Sequence, residues 1–148
     1  MCLLIDTNQA SAFNQPSEAM SVVVNWIADG GRIVVGGKLT DELNRTRFSK
    51  FLAELSRRGN LRSYTKSEVD DEIAKVSAMA LESDDPHVIA LARLSGAKVA
   101  ITNDNKLIAD LKNQAICPGK RRAIRHRPGK PEMPANSVKA LLIQAQCR

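Results

Sequence analysis

The chain has 148 residues, of which 43% are hydrophobic and 26% charged, and its formal net charge is +6. This length is enough for one domain with its own core, and the sequence contains no run of about 18 apolar residues that could span a membrane. Cys2, Cys117 and Cys147 are odd in number and far apart, which argues against a disulfide framework or a zinc site and predicts reduced thiols. No leader precedes the first strand, so we expect a cytoplasmic protein.

The predicted elements alternate between short apolar strands and longer helices. In chain order, strands are predicted over residues 2–5, 32–35, 61–64 and 98–102. Helices are predicted over 17–28, 40–58 with Thr40 as the N-cap, 67–82, 85–94, 105–113, and from 136 or 137 to about 146. Short, continuously apolar strands separated by helices are typical of a parallel sheet covered on both faces. We therefore expect an α/β fold, a three-layer sandwich with a central, mainly parallel sheet flanked by helices.

The composition changes after residue 118. We predict a folded domain over residues 1–118, followed by a basic, proline-containing extension with a C-terminal helix over 119–148. The whole positive excess lies in this extension, in Lys120, Arg121, Arg122, Arg125, Arg127 and Lys130. Such a block is typical of a segment that contacts nucleic-acid phosphates. The alternative is a solvated basic loop without a partner.

Carboxylates recur where the predicted strands and helices begin or end. Four separate segments present them: Asp6, Asp41 or Glu42, Asp84 or Asp85, and Asp104. Ligands of open parallel sheets bind beyond the carboxyl ends of the strands, so these acids are expected to meet at one edge of the sheet. An acid at a helix start can instead be a simple cap. That alternative applies to Asp41 or Glu42 and to Asp84 or Asp85, whereas no helix is predicted to begin at Asp6 or at Asp104 itself.

The expected chemistry of such a cluster is metal binding. Carboxylates that meet raise one another's pKa unless a cation neutralises them, and oxygen ligands without histidine or cysteine select Mg²⁺ or Mn²⁺. A centre of this kind can activate water and stabilise the reacting oxygens of a phosphodiester. The hypothesis requires Asp85 and Asp104 to come within shared metal-ligand reach of Asp6. His87 is expected to be a structural histidine in a buried helix, and His126 to contact phosphate or solvent.

The motifs "LLIDTN", "TDELNR", "SDDPHVIALA" and "VAITNDNKL", in this order, resemble those of the PIN-domain ribonucleases, which include VapC-type toxins of toxin–antitoxin pairs. The resemblance covers about residues 2–117. It implies that a catalytic Mg²⁺ or Mn²⁺ centre is formed by Asp6, Glu42, Asp85 and Asp104. Asn8 and Thr102 would be the small polar residues that orient these acids, and Asp41 and Asp84 are the alternative acids.

The resemblance also implies what the protein does and with what it assembles. The expected activity is cleavage of single-stranded RNA, and the expected partners are RNA, a cognate antitoxin and a second copy of the chain. One alternative is a catalytically inactive PIN-like protein that binds nucleic acid. Another is a phosphatase of the haloacid-dehalogenase type, which is disfavoured because Asn8 stands where that chemistry needs a second acid.

Overall fold

The computed structural model describes residues 1–126 and 130–148. Its strands are β1 (Cys2–Ile5), β2 (Arg32–Gly36), β3 (Leu61–Tyr64), β4 (Val99–Ile101) and β5 (Arg122–Ile124). Its α-helices are α1 (Glu18–Ala28), α2 (Gly37–Asn44), α3 (Ser49–Arg58), α4 (Lys66–Ser77), α5 (Pro86–Ser95), α6 (Asn105–Lys112) and α7 (Ala135–Ile143). A 3-10 helix, Thr7–Phe13, directly follows Asp6. Within these described ranges no helix is long and apolar enough to cross a membrane.

The five strands form one parallel sheet in the order β3-β2-β1-β4-β5. The expected α/β class, with a parallel sheet flanked by helices, is confirmed. The chain runs outward from β1 to β3 and then returns to place β4 on the other side of β1. This reversal creates a topological switch point between β1 and β4, where a crevice opens beyond the carboxyl ends of the strands.

Apolar side chains from the sheet and from α5 fill the core. Leu3, Leu4 and Ile5 of β1 are buried, and so are seven of the ten residues of α5. Each buried leucine, isoleucine or valine among them stabilises the fold by about 1.5–3 kcal/mol relative to an exposed position. The continuous apolar runs of the sequence are therefore explained by elements that are covered on all sides.

Two of the predicted helices differ most from the structure, while the others differ by one to three residues at their ends. The predicted 40–58 helix is two helices, because the Thr46 hydroxyl donates to the Leu43 carbonyl at 2.6 Å and accepts from the Phe48 amide at 3.1 Å. These bonds replace helical ones and separate α2 from α3. Thr40 lies inside α2 and does not cap it. The predicted 67–82 helix ends at Ser77 and begins one residue earlier, after a capping box formed by Thr65 and Glu68.

Residues 119–148 contribute to the same sheet and core as the preceding residues. β5, which was not predicted, pairs with β4, and α7 packs against α1. The Cys2 amide donates to the Ala145 carbonyl at 3.0 Å, which places the end of the chain beside β1.

A disulfide joins Cys2 to Cys147, with their Cα atoms 5.8 Å apart. The prediction that both are reduced thiols is therefore wrong, because spacing along the sequence does not show which cysteines the fold brings together. Cys117 is a free thiol and is buried.

Candidate functional site

Asp6 lies at the centre of the crevice between β1 and β4. Its amide donates to the Ile101 carbonyl at 3.0 Å, which continues the β1–β4 pairing by one residue. Its side chain is only 9% exposed, and Oδ2 accepts a hydrogen bond of 2.8 Å from the Thr102 hydroxyl. Burial raises the pKa of Asp6, the Thr102 hydrogen bond opposes this effect, and the charge of Asp104 raises the pKa again.

Asp104 is connected to Asp6 through Thr102. The Asp104 amide donates to Thr102 Oγ1 at 3.1 Å, so one hydroxyl contacts both acidic residues. Asp104 also caps α6, because its Oδ1 accepts from the amides of Lys106 at 2.9 Å and Leu107 at 3.3 Å. The helix predicted from residue 105 begins there as α6, and the role of a helix cap, which the sequence did not indicate for Asp104, applies to this acid. The cap holds the carboxylate firmly at the crevice.

Asp85 precedes α5, but its side chain makes no capping hydrogen bond. Burial raises the pKa of Asp85, and the charges of Asp6, Asp104 and Glu42 raise it further. Asp85 therefore lies within the electrostatic field of the other three predicted site acids, whereas Asp84 is exposed.

The segment before Asp85 is held in place by Asp110 of α6. Its Oδ1 accepts from the Glu82 amide at 2.9 Å, and its Oδ2 accepts from the Ser83 amide at 2.9 Å and the Ser83 hydroxyl at 2.7 Å. Asp110 is almost fully buried. No sequence signal pointed to Asp110, because its partners lie 27 and 28 residues away in the chain.

Glu42 is held in α2 by three side chains. Its Oε2 accepts a 2.9 Å hydrogen bond from the Thr7 hydroxyl and lies 3.3 Å from Nε2 of His87. Its Oε1 lies 3.6 Å from Nζ of Lys38, which is largely exposed. Asp41 is exposed. The buried His87, expected to be structural, thus also contacts a predicted site acid, and Thr7 is a positioning residue that no sequence signal marked.

Asn8 lies beside the crevice and does not contact a carboxylate among the described residues. Its Nδ2 donates to Oδ1 of Asn103 at 3.0 Å, which links the segment after β1 to the one after β4. Gln9 Nε2 donates to Asn8 Oδ1 at 2.9 Å. Gln9 is buried, and its Oε1 has no hydrogen-bond partner in the part of the chain that the structure describes. Asn8 therefore orients the two segments that carry acids.

We refer to Asp6, Glu42, Asp85 and Asp104 as the acidic edge. Its oxygen donors are those that Mg²⁺ and Mn²⁺ prefer, and the pKa values of Asp6 and Asp85 are raised first by burial and then by the negative charge of neighbouring acids, both of which a cation would offset. Across residues 1–126 and 130–148, however, no three Asp, Glu, His or Cys side chains are placed so that they could hold a metal ion. The shared reach required of Asp6, Asp85 and Asp104 is thus absent from this arrangement. The donor chemistry of these four acids fits a divalent ion.

The predicted basic block does not form one surface. Arg121 is only 6% exposed, and its guanidinium donates to the carbonyls of Ala92, Ala97, Cys117, Pro118 and Gly119. Burial lowers the pKa of Arg121. Its predicted contact with nucleic acid is corrected to a structural role, because its hydrogen-bond donors are directed at these carbonyls.

The remaining basic residues lie outside the core. Arg125 is exposed and donates to Oδ1 of Asn105 at 2.6 Å, one residue from Asp104. Lys120 and Lys130 are exposed, Arg122 is partly exposed, and Arg127 lies outside the described residues. His126 Nδ1 lies 3.5 Å from Oε1 of Glu132.

The fold and the acidic edge together define an α/β domain with acids at the switch point of a parallel sheet. No protein-family model and no curated protein matches the sequence. Among solved structures, the chain is similar to one in the crystal structure of VapBC2 from Rickettsia felis bound to a DNA fragment from their promoter. The TM-score is 0.51 at 13% sequence identity, and the match covers 83% of this chain and 98% of that one. At this identity the likeness shows the fold alone, and it agrees with the PIN-like architecture expected from the motifs.

Proposed function

We propose that the protein is a Mg²⁺- or Mn²⁺-dependent endoribonuclease that hydrolyses phosphodiester bonds of single-stranded RNA. The observation that carries the proposal is the acidic edge, in which Thr102 contacts both Asp6 and Asp104 and the charges of three acids act on Asp85. Acids from four segments near the switch point of a parallel sheet support this proposal, because such folds bind ligands at that point.

In this proposal each member of the acidic edge has a positioning partner. Thr102 orients Asp6, the α6 cap holds Asp104, and Thr7 with His87 holds Glu42. Asp110 holds the segment that carries Asp85. When bound by these carboxylates, a divalent ion supplies activation of water and neutralisation of charge on the phosphate.

The basic residues outside the core supply the contact with RNA. Arg125 is hydrogen-bonded to Asn105 beside Asp104, so this cation lies next to the acidic edge. Arg122, Lys120 and Lys130 extend the positive charge along the same segment. We assign them to the phosphate backbone, because such contacts position the nucleic acid without reading its sequence.

The biological setting that we propose is a toxin–antitoxin pair. The structural neighbour belongs to the VapBC2 assembly. On this basis, and on the resemblance of the motifs, we propose a toxin that binds a cognate antitoxin and forms a homodimer. A small reading frame directly upstream, encoding an acidic or DNA-binding protein, would support the assignment. Its product should co-purify with this chain and inhibit the cleavage of RNA.

The direct test is cleavage of single-stranded RNA with Mg²⁺ or Mn²⁺ by the wild type and by Asp6→Asn and Asp104→Asn variants. Asparagine is also a good helix cap, so Asp104→Asn retains α6. We expect each variant to lose about 100-fold or more of the rate, while the exposed neighbour variant Asp84→Asn retains it. Equal cleavage by all four proteins would indicate a contaminant and refute the proposal.

A second candidate is a catalytically inactive PIN-like protein that binds nucleic acid. It is favoured by the spacing of the acids, since no three of them in the described ranges are placed to hold a metal ion. Salt-sensitive binding of RNA, with no cleavage by the wild type in either metal, would establish this candidate in place of the first.

A further inference from the structure

A cavity of about 610 Å³ lies at the opposite edge of the sheet from the acidic edge. Lys98 and Arg121, which directly precede β4 and β5, line it together with the end of α5 and Arg148. The acids instead follow the carboxyl ends of β1 and β4. The cavity is therefore separate from the acidic edge by the length of the strands.

The lining of this cavity is strongly positive. It includes Arg93, Lys98, Arg121 and Arg148, with Glu72 as the acidic member. The Glu72 carboxylate is already neutralised, because its Oε1 accepts from Nε of Arg93 at 2.6 Å and its Oε2 lies 3.4 Å from Nζ of Lys75. Among the described residues, Lys98, Arg121 and Arg148 thus form no ion pair with a side-chain carboxylate.

Two of these three cations are explained by the fold. Arg121 donates to backbone carbonyls that include that of Ala92, and Arg148 donates to the carbonyl of Arg93. Both carbonyls belong to the last turn of α5, where the C-terminus of a helix favours positive charge. Arg121 and Arg148 are therefore helix-capping residues as well as sources of positive potential.

Lys98 is not explained in this way. Its side chain is half-buried, and its ammonium has no hydrogen bond or ion pair with any residue in the described part of the chain. Its Nζ lies against Gly119, where a Cβ atom would come within 2.6 Å of it. Gly119 has φ +101°, a backbone conformation that favours glycine. Because Gly119 has no side chain, the Lys98 ammonium occupies the space that a Cβ atom would take. A partly desolvated cation held without a counter-charge favours an anion.

We propose that this cavity binds the phosphate group of a phosphorylated small molecule or free phosphate, with Lys98 as the principal contact. Lysine is a common point-charge ligand of phosphate, and the surrounding arginines add positive potential. The volume falls in the range of about 300–1,000 Å³ that is typical of small-molecule sites, so a mononucleotide is of suitable size. The site does not depend on the proposed nuclease activity.

The test is an NMR titration of the ¹⁵N-labelled full chain at constant ionic strength with inorganic phosphate, adenosine 5′-monophosphate and adenosine. We expect saturable shifts of the Lys98 and Gly119 amides with the first two compounds and none with adenosine. Tighter binding of the monophosphate than of phosphate would identify an ester as the ligand, and equal binding would identify the free anion.

Variants assign the site to Lys98. Lys98→Met should weaken binding about tenfold or more, Lys98→Arg should retain most of it, and the exposed-lysine control Lys50→Met should leave it unchanged. Unsaturable shifts, equal binding by Lys98→Met, or shifts confined to Arg122 and Arg125 would overturn the proposal. If Lys98→Met does not fold, the wild-type shift map alone decides the question.

Discussion

At the scale of single residues, the Thr102 hydroxyl organises two acids at once. It donates to Asp6 Oδ2 and accepts from the Asp104 amide, so it sets the distance between the ends of β1 and β4. The arrangement keeps a carboxylate next to the fully buried Ile5. The Asp6 carboxylate therefore lowers the stability of the fold at a site suited to function, because a buried charge costs free energy in the absence of a cation.

The cost of burying this charge predicts that Asp6→Asn stabilises the protein in the absence of divalent ions. Burial raises the pKa of Asp6 in the folded protein above its ordinary value of 3.8. The protonated side chain therefore contributes its full share to the free energy of unfolding below pH 3.8. That stability is lost as the pH rises through the raised native pKa. Asparagine keeps an acceptor for Thr102 without ionising. We expect Asp6→Asn to gain about 1 kcal/mol at neutral pH and nothing below pH 3.8.

Urea unfolding in EDTA across this pH range measures the effect. The exposed control Asp41→Asn should follow the wild type at every pH. A lower stability of Asp6→Asn at neutral pH would show that the protein itself compensates the Asp6 carboxylate, and the trade between stability and function at this residue would be refuted.

At the scale of elements, the arginines around β5 divide into two kinds. Arg121 ties the end of α5 and the turn at residues 117–119 to the start of the strand through its carbonyl contacts. Arg122 and Arg125 lie on and just beyond the strand and are more exposed. These three neighbouring arginines therefore differ in role. The Arg121 guanidinium binds a set of backbone carbonyls, whereas Arg122 and Arg125 are more exposed.

We predict that neutralising the two outer arginines changes RNA binding without changing stability. In Arg122→Gln/Arg125→Gln, the slope of log affinity against log salt should fall by about 1.4, which corresponds to about 0.7 for each RNA phosphate that an arginine no longer neutralises. Its melting temperature should equal that of the wild type. Binding to single-stranded RNA at several salt concentrations gives the slope, with Arg32→Gln at the opposite edge as the control. An unchanged slope in the double variant would mean that RNA binds elsewhere.

Local signals were enough to predict much of the fold. The apolar runs predicted β1, β2 and β4 because these strands are buried on both faces, and a polar residue at the end of a buried run marked Asp6. The separation of α2 from α3 was missed because Thr46 competes with the helix through its side chain. β5 was missed because its three residues, Arg-Ala-Ile, become a strand only by pairing with β4.

At the scale of the whole molecule, long-range contacts define what local patterns left open. Asp110 binds residues 82 and 83, Arg121 binds carbonyls as distant as Ala92, and Cys147 meets Cys2 across a separation of 145 residues. None of these pairs has a local signature. The distances between the acids of the acidic edge also have no local signature, because the four segments that carry them come near one another only in the completed sheet.

The disulfide is predicted to contribute strongly to stability. Closing so long a loop removes entropy from the unfolded chain, which corresponds to about 4–5 kcal/mol. A reducing agent should therefore lower the urea midpoint of the wild type. The Cys147→Ser variant should have the same lowered urea midpoint as the reduced wild type, and a reducing agent should not change it. Identical midpoints for the wild type with and without reductant would show that the bond adds nothing to the folded state.

The same bond changes the covalent topology of the molecule from a line to a ring. A ring can be opened once without falling apart, so one break in the backbone, for instance in the connection at residues 45–48 between α2 and α3, leaves a single covalent body. The junction of the two ends lies beside the first residue of β1, away from the crevice at the far end of that strand. New chain ends could therefore be introduced elsewhere in the circle while the acids at the switch point keep their supporting scaffold.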